Sequence, residues 1–229
     1  MGEGLNGCAA PNESTAPAAL AAPAYWDEAC KHLTKRDRVM RKLIPRFSEA
    51  RLQSRGDAFT TLARSIVGQQ ISVKAAQSVW NKFVALVPSE THRIDPAEIV
   101  ALDPMMIRAA GLSMRKVEYL TDLARHFHGG AVHVDQWASM DDDAIIDELV
   151  AIRGIGRWTA EMFLIFHLMR PNVLPLDDVG LIKGISVSYF SGEPVSRAEV
   201  REVGEAWAPF RSVATWYIWR SLDPLPVDY

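Results

Sequence analysis

Apolar positions recur at helical spacing along nearly the whole chain. Trp26, Ala29 and Leu33 share one face, as do Val39, Met40, Leu43 and Ile44. Phe59, Leu62, Ala63, Ile66 and Val67 form an i, i+3, i+4, i+7, i+8 stripe that Gly68-Gln69-Gln70-Ile71 interrupts. Ser72 is placed to cap a following helix with Val73, Ala76, Trp80, Phe83, Val84 and Val87 on one side. Asp95-Pro96 and Asp103-Pro104 each read as an N-cap with Pro at the first helical position. Gly111 stops the second of these short helices. Ser113 starts another, with Val117, Leu120, Ala124 and Phe127 inward, and Gly129-Gly130 ends it.

The second half continues in the same way. A helix over 141–150 begins with acidic residues, which favours its dipole. After Gly154-Ile155-Gly156 a helix is expected from about Arg157 to Met169, and Pro171 and Pro175 bracket a loop. Asp178 opens the next helix, Ser196 and Glu199 make a capping box for one ending near Trp207, and the last runs from about Arg211 to Leu222. No convincing period-2 run is present, so the expectation is an all-α protein of about ten helices. It divides into a tail over 1–24, N-terminal helices over 25–55, a helical lobe over 56–150 and a second lobe over 151–229, with 25–55 packing on the latter.

Composition narrows the class. The 229 residues are 48% hydrophobic, and no apolar run approaches the roughly 20 residues of a membrane span. Residues 1–24 are rich in Ala, Pro, Gly, Asn and Ser and read as a disordered tail without the marks of a secretory signal. The only cysteines, Cys8 and Cys30, rule out an iron–sulfur cluster held by four cysteines and fit a reducing cytoplasm. A net charge of −3 supplies no global basic field, which counts mildly against nucleic-acid binding without excluding it, because contact can come from a local patch and from backbone N–H groups.

The stretch 149–183 carries the chemistry. Gly154 and Gly156 allow positive φ and close backbone approach. The N–H groups opening the next helix have no partner within it, which suits a phosphate oxygen, and Arg157 adds charge there. A plain tight turn accounts for the same glycines. Asp177-Asp178 precedes a helix, where an N-cap needs only one of the two carboxylates.

Leu149 and Ile152, then Gly154-Ile155-Gly156-Arg157-Trp158-Thr159-Ala160, with Asp178 eighteen residues further on, resemble the signature of the helix-hairpin-helix DNA glycosylase superfamily. More narrowly they resemble its DNA-3-methyladenine glycosylase II group. The segment from Phe59 to Ala76 resembles that group's intercalating-loop region, and Trp207, Pro209-Phe210-Arg211-Ser212 and Trp219 resemble its C-terminal segment.

The resemblance implies a two-lobed helical fold with the active-site cleft between the lobes. It also implies hydrolysis of the N-glycosidic bond of a flipped-out alkylated purine such as 3-methyladenine, in base excision repair. Asp178 aligns with the catalytic carboxylate. Trp158 stands where bifunctional relatives carry a nucleophilic Lys, so no lyase activity is expected; Lys183 does not match that position. Gln70, flanked by Gln69 and Ile71, matches the DNA wedge. Gly154, Ile155, Gly156 and Arg157 match the phosphate-binding hairpin. Trp219, Trp158 and Met162 align near the base pocket, where aromatic faces suit a cationic purine, and Tyr25 and Trp26 are further candidates. The remaining tryptophans Trp80, Trp137, Trp207 and Trp216 read as packing.

No cofactor is implied beyond a structural Na+ or K+ on the backbone carbonyls of Val150, Ile152 and Ile155. The implied partner is double-stranded DNA containing alkylated bases, met by a monomer in the bacterial cytoplasm with the nucleoid. Competing readings are another damaged base on the same scaffold, a non-catalytic DNA-binding module, or a helical protein-interaction domain.

Overall fold

The structure is a computed structural model that describes residues 22–54, 56–87 and 93–222. Cys8 and the tail read over 1–24, apart from residues 22–24, lie outside the described residues. Twelve α-helices and one short 3-10 turn make up the described fold, with no strand among these residues. No described helix is long and apolar enough to cross a membrane.

The first lobe comprises α3 (Ala58–Gly68), α4 (Val73–Val84), α5 (Pro96–Ala101), α6 (Pro104–Ala109) and α7 (Met114–His128). The apolar face of α7, through Val117, Leu120, Leu123 and Ala124, is covered by α3, α5 and α6. Side-chain caps set the starts of these helices. Asp57, Ser72, Asp95, Asp103 and Ser113 each accept a hydrogen bond from a backbone N–H of their helix's first turn. The 3-10 turn Val134–Gln136 leads to α8 (Asp142–Val150), which pairs with α9 (Arg157–Phe166).

The second lobe is built on α12 (Arg211–Leu222). Every residue from Ser212 to Trp219 is buried, so this helix is enclosed on all sides rather than amphipathic. Around it lie α1 (Trp26–Arg36), α2 (Met40–Arg46) and α10 (Val179–Tyr189), with α11 (Arg197–Glu205) against α10. The buried Ser212 hydroxyl donates to the Arg170 carbonyl at 2.6 Å and accepts the Val173 N–H at 3.0 Å. The Ser212 N–H donates to the Pro171 carbonyl at 3.0 Å. The loop that delivers Asp178 is thereby fastened to α12.

The approach of α10 to α12 depends on two glycines one turn apart. A Cβ at Gly184 would lie 2.2 Å from Ile218 Cγ2, and one at Gly180 would lie 3.1 Å from Trp219 Cδ1.

Some local expectations change. α9 stops at Phe166 rather than near Met169, because Met169 takes a left-handed φ of 55° and the Arg170 N–H turns back to the Leu164 carbonyl at 2.9 Å. Val73 opens α4 at 75% exposure instead of joining its apolar face, since the first turn projects beyond the lobe that covers Trp80 and Phe83. Trp26 is sealed in the core, edge-on to Trp216 at 5.1 Å, and is no pocket residue. Trp80, Trp137, Trp207 and Trp216 are likewise buried.

Gly184→Ala is expected to destabilise the fold by about 1–3 kcal/mol despite the better helix propensity of Ala, because the fully buried, β-branched Ile218 has little room to yield. Urea denaturation measures this, and an unchanged midpoint would show that the two helices have slack between them.

Candidate active site

Asp178 is the N-cap of α10, and its Oδ1 accepts the Leu181 N–H at 2.6 Å. The same oxygen accepts the Trp219 indole N–H at 2.7 Å, and Oδ2 accepts the Trp158 indole N–H at 2.7 Å. Three helices therefore meet at one carboxylate: α9 through Trp158, α10 through its own first turn, and α12 through Trp219. Both indoles are donors only and carry no charge. They fix the carboxylate's orientation without neutralising it, as an Arg or Lys would. Asp178 is 7% exposed, and Trp158 covers it at 41% exposure.

Trp219 stacks on Phe166 at 5.7 Å and 13°. Met162 lies one turn beyond Trp158 on α9 and is buried. Asp177 points elsewhere, pairing with Arg197 at 3.1 Å. Lys183 is exposed on α10. The Tyr25 hydroxyl donates to the Met169 carbonyl at 2.7 Å, which makes it a brace for the loop after α9.

The hairpin lies between α8 and α9. Gly154 takes a φ of +88°, and a Cβ there would meet the Tyr119 ring at 2.2 Å. The Arg153 N–H donates to Asp122 Oδ2 at 2.8 Å, so the hairpin rests on α7. Ile155 anchors it in the core. Gly156 does not use positive φ: it is the extended N-cap of α9, φ −93°, with open space where a Cβ would stand. It offers no capping side chain, so the first N–H groups of α9 face outward without one.

Arg157 differs from the expectation of a cation directed at the hairpin mouth. Its Nε donates to Glu161 Oε1 at 3.1 Å and its Nη2 to Asp143 Oδ1 at 3.0 Å, since an i+4 carboxylate on its own helix lies within easier reach. Burial pushes the Glu161 carboxyl upward, and Arg157 opposes that shift.

The loop after α3 reaches the hairpin. Gln69 Nε2 donates to the Gly154 carbonyl at 2.9 Å, so this side chain ties the loop to the hairpin rather than projecting as a wedge. Gln70 is exposed with a left-handed φ of 58°, beside the 41% exposed Ile71. Lys116 Nζ donates to the Val67 and Gln69 carbonyls at 2.8 and 2.7 Å, closing the C-terminal end of α3, and burial lowers its pKa. Neither Lys116 nor Phe166 is marked by any local sequence pattern. Lys116 is a mid-helix cation, and its two acceptors lie some fifty residues earlier.

Among the described residues no group of three or more His, Cys, Asp or Glu side chains is arranged to hold a metal ion. Val150, Ile152 and Ile155 belong to the stretch where α8 runs out into the hairpin. Val150 closes the helix, where carbonyls lose their helical partners, and the Ile152 carbonyl accepts the Ile155 N–H at 3.1 Å. These neutral oxygens fit a monovalent cation in donor type.

A family model described as the HhH-GPD superfamily of base excision DNA repair proteins matches residues 63–209. The chain is 32% identical to DNA-3-methyladenine glycosylase 1 of Schizosaccharomyces pombe over 79% of each chain. Its fold is similar to that of a DNA-3-methyladenine glycosidase from Bacillus halodurans, with a TM-score of 0.78 and 32% identity, covering 85% of this chain and 89% of that one. It is also similar to the S. pombe 3-methyladenine DNA glycosylase in complex with abasic DNA, with a TM-score of 0.70 and 29% identity, covering 87% and 100%.

Lys116→Met removes both ties at the end of α3. Amide exchange over residues 68–73 is expected to rise tenfold or more, from the loss of about 1.5 kcal/mol or more in charged hydrogen bonds. Exchange in the core of α7 should stay unchanged. Equal protection of the loop in both proteins would assign its order to Gln69 instead.

Proposed function

The chain belongs to the HhH-GPD superfamily of base excision DNA repair proteins, and from that footing we propose that it is a monofunctional DNA glycosylase for alkylated purines. It flips the damaged nucleotide from duplex DNA and hydrolyses its N-glycosidic bond, leaving an abasic site. The observation that carries this reading is the Asp178 carboxylate, held uncompensated by two indole N–H groups beside the hairpin of a DNA-repair fold.

An alkylated purine bears positive charge and departs readily, which leaves the sugar with oxocarbenium character. A fixed carboxylate facing that sugar stabilises the developing charge, and its preorganisation is what makes the interaction effective. Trp158, with Met162 behind it and Trp219 stacked on Phe166, offers aromatic surface to a cationic base. The first N–H groups of α9 bind a phosphate and hold the sugar in register with Asp178. Gln70 and Ile71 fill the gap left by the flipped nucleotide, while Gln69 holds their loop against the hairpin. The hairpin carbonyls of Val150, Ile152 and Ile155 would hold Na+ or K+, whose charge would strengthen the phosphate site. One pocket serves one nucleotide, so a monomer suffices.

A module that only bound DNA would gain nothing from this arrangement, because an unneutralised carboxylate repels phosphate. Trp158 at the site of a potential Schiff-base lysine accounts for hydrolysis without strand cleavage, since an indole forms no imine.

Asp178→Asn tests the assignment, because Asn caps a helix as well as Asp and its oxygen can keep the Leu181 and Trp219 N–H groups; only the bond from the partly exposed Trp158 is lost with the charge, so the fold should persist. Release of 3-methyladenine from methylated duplex is expected to fall at least about 100-fold, while Asp177→Asn stays within about twofold of the parent. Equal release by the parent and Asp178→Asn would remove Asp178 from its role. In a second assay, borohydride reduction of the protein mixed with abasic DNA is expected to trap no covalent adduct; a trapped adduct would overturn the monofunctional reading.

A further inference from the structure

Although the chain carries a net charge of −3, seven of its 25 Lys and Arg residues lie within residues 31–46. They are Lys31, Lys35, Arg36, Arg38, Arg41, Lys42 and Arg46, set against one acid, Asp37. All seven are exposed, and none has a carboxylate partner within 4.0 Å among the described residues. Asp37 is buried instead, accepting the Val39 and Met40 N–H groups at 2.7 and 2.9 Å and the Tyr189 hydroxyl at 2.9 Å. The one acid of the segment is thus consumed in joining α1, α2 and α10, which leaves the outward side of residues 31–46 cationic, while the exposed acids of α1, Asp27 and Glu28, lie in its first turn.

The surface also has shape. Lys31, Lys35 and Arg41 line a concavity of about 520 Å³ with Cys30 and Thr34. Arg41 is set in place by donating to the Thr34 and Lys35 carbonyls at 3.0 and 3.3 Å, which leaves charge on a fixed scaffold at the end of α1. Such a face suits a regular polyanion better than a single small anion, since its cations spread across two helices.

Its position separates it from the catalytic carboxylate. Tyr189, which binds Asp37, ends α10, and Asp178 caps the start of that helix. Eleven residues at 1.5 Å each place the two ends about 16 Å apart.

We propose that the α1–α2 face is a second DNA-docking surface, binding the phosphate backbone of a duplex segment other than the one held at Asp178. The enzyme then grips one segment while testing another. This rests on the DNA-repair function proposed above, and it adds a site of its own. Lysines and arginines that replace condensed counterions give a binding strength that falls steeply with salt.

The test compares the parent with a Lys31→Gln, Lys35→Gln, Lys42→Gln triple variant, which leaves Arg41 and its carbonyl contacts intact. Each is saturated with a short abasic-site duplex, and uptake of a labelled undamaged duplex is followed by fluorescence anisotropy between about 50 and 200 mM salt. The parent is expected to take up the second duplex. The variant should bind it about tenfold more weakly, with a log–log salt slope smaller by about 3. Excision from saturating short substrate should be equal in the two proteins, and a Lys→Arg triple variant should behave like the parent. Failure of the parent to take up a second duplex, or equal uptake and slope in parent and glutamine variant, would overturn the proposal. Tighter binding of a polyglutamate probe than of duplex would overturn it in favour of an acidic protein partner. Second-duplex uptake by proteins that release no methylated base would instead remove the glycosylase function and leave the surface standing.

Discussion

The structure turns on how a carboxylate is kept both nearly buried and uncompensated. Burying a charge is costly unless it is hydrogen-bonded, and Asp178 has three donors within 2.7 Å: its own helix's first turn, Trp219 and Trp158. That number nearly exhausts the lone pairs of a carboxylate. Each donor arrives on a different helix, so the geometry needs α9, α10 and α12 to converge. The convergence in turn needs Gly180 and Gly184, which let α10 lie against Trp219 and Ile218 with no side chain between. The Ser212 contacts then pin the loop that feeds α10. Much of the second lobe can be read as the support of one oxygen pair.

What could be read from the chain was whatever is local. Ser72, Asp95, Asp103, Ser113 and the Ser196–Glu199 box were visible because a cap bonds within its own first turn. The α3 and α7 apolar faces were visible because burial repeats with the helical period. The hairpin and Asp178 were visible because they occupy one continuous stretch. The pairing choices were not. Arg157 had a carboxylate on its own helix to bind before any phosphate, and Gln69 had a carbonyl 85 residues away. The aromatic reading of Trp158 and Trp219 identified the rings and missed their N–H groups, because donor direction depends on where α10 packs. Val73 fitted the pattern and stayed exposed, since periodicity gives a face but not how far the neighbouring lobe extends.

Charge is arranged with a similar division of labour. The acid-rich start of α8 and Glu161 absorb Arg157, so the hairpin relies on backbone N–H groups. The densest run of exposed cations, within residues 31–46, lies at the opposite end of α10 from the carboxylate. Among the described residues no Lys or Arg pairs with Asp178, so its charge is met only by neutral N–H groups.

The bond from Gln69 to the Gly154 carbonyl joins two segments 85 residues apart into one piece. Lys116 on one side and the Tyr119 ring on the other hold that piece to α7. Its two exposed tips, Gln70 and the open end of α9, consequently sit at a constant separation, like the jaws of a calliper locked at one setting. In the glycosylase reading proposed above, DNA would meet the two tips as one rigid gauge and not as two contacts that move independently.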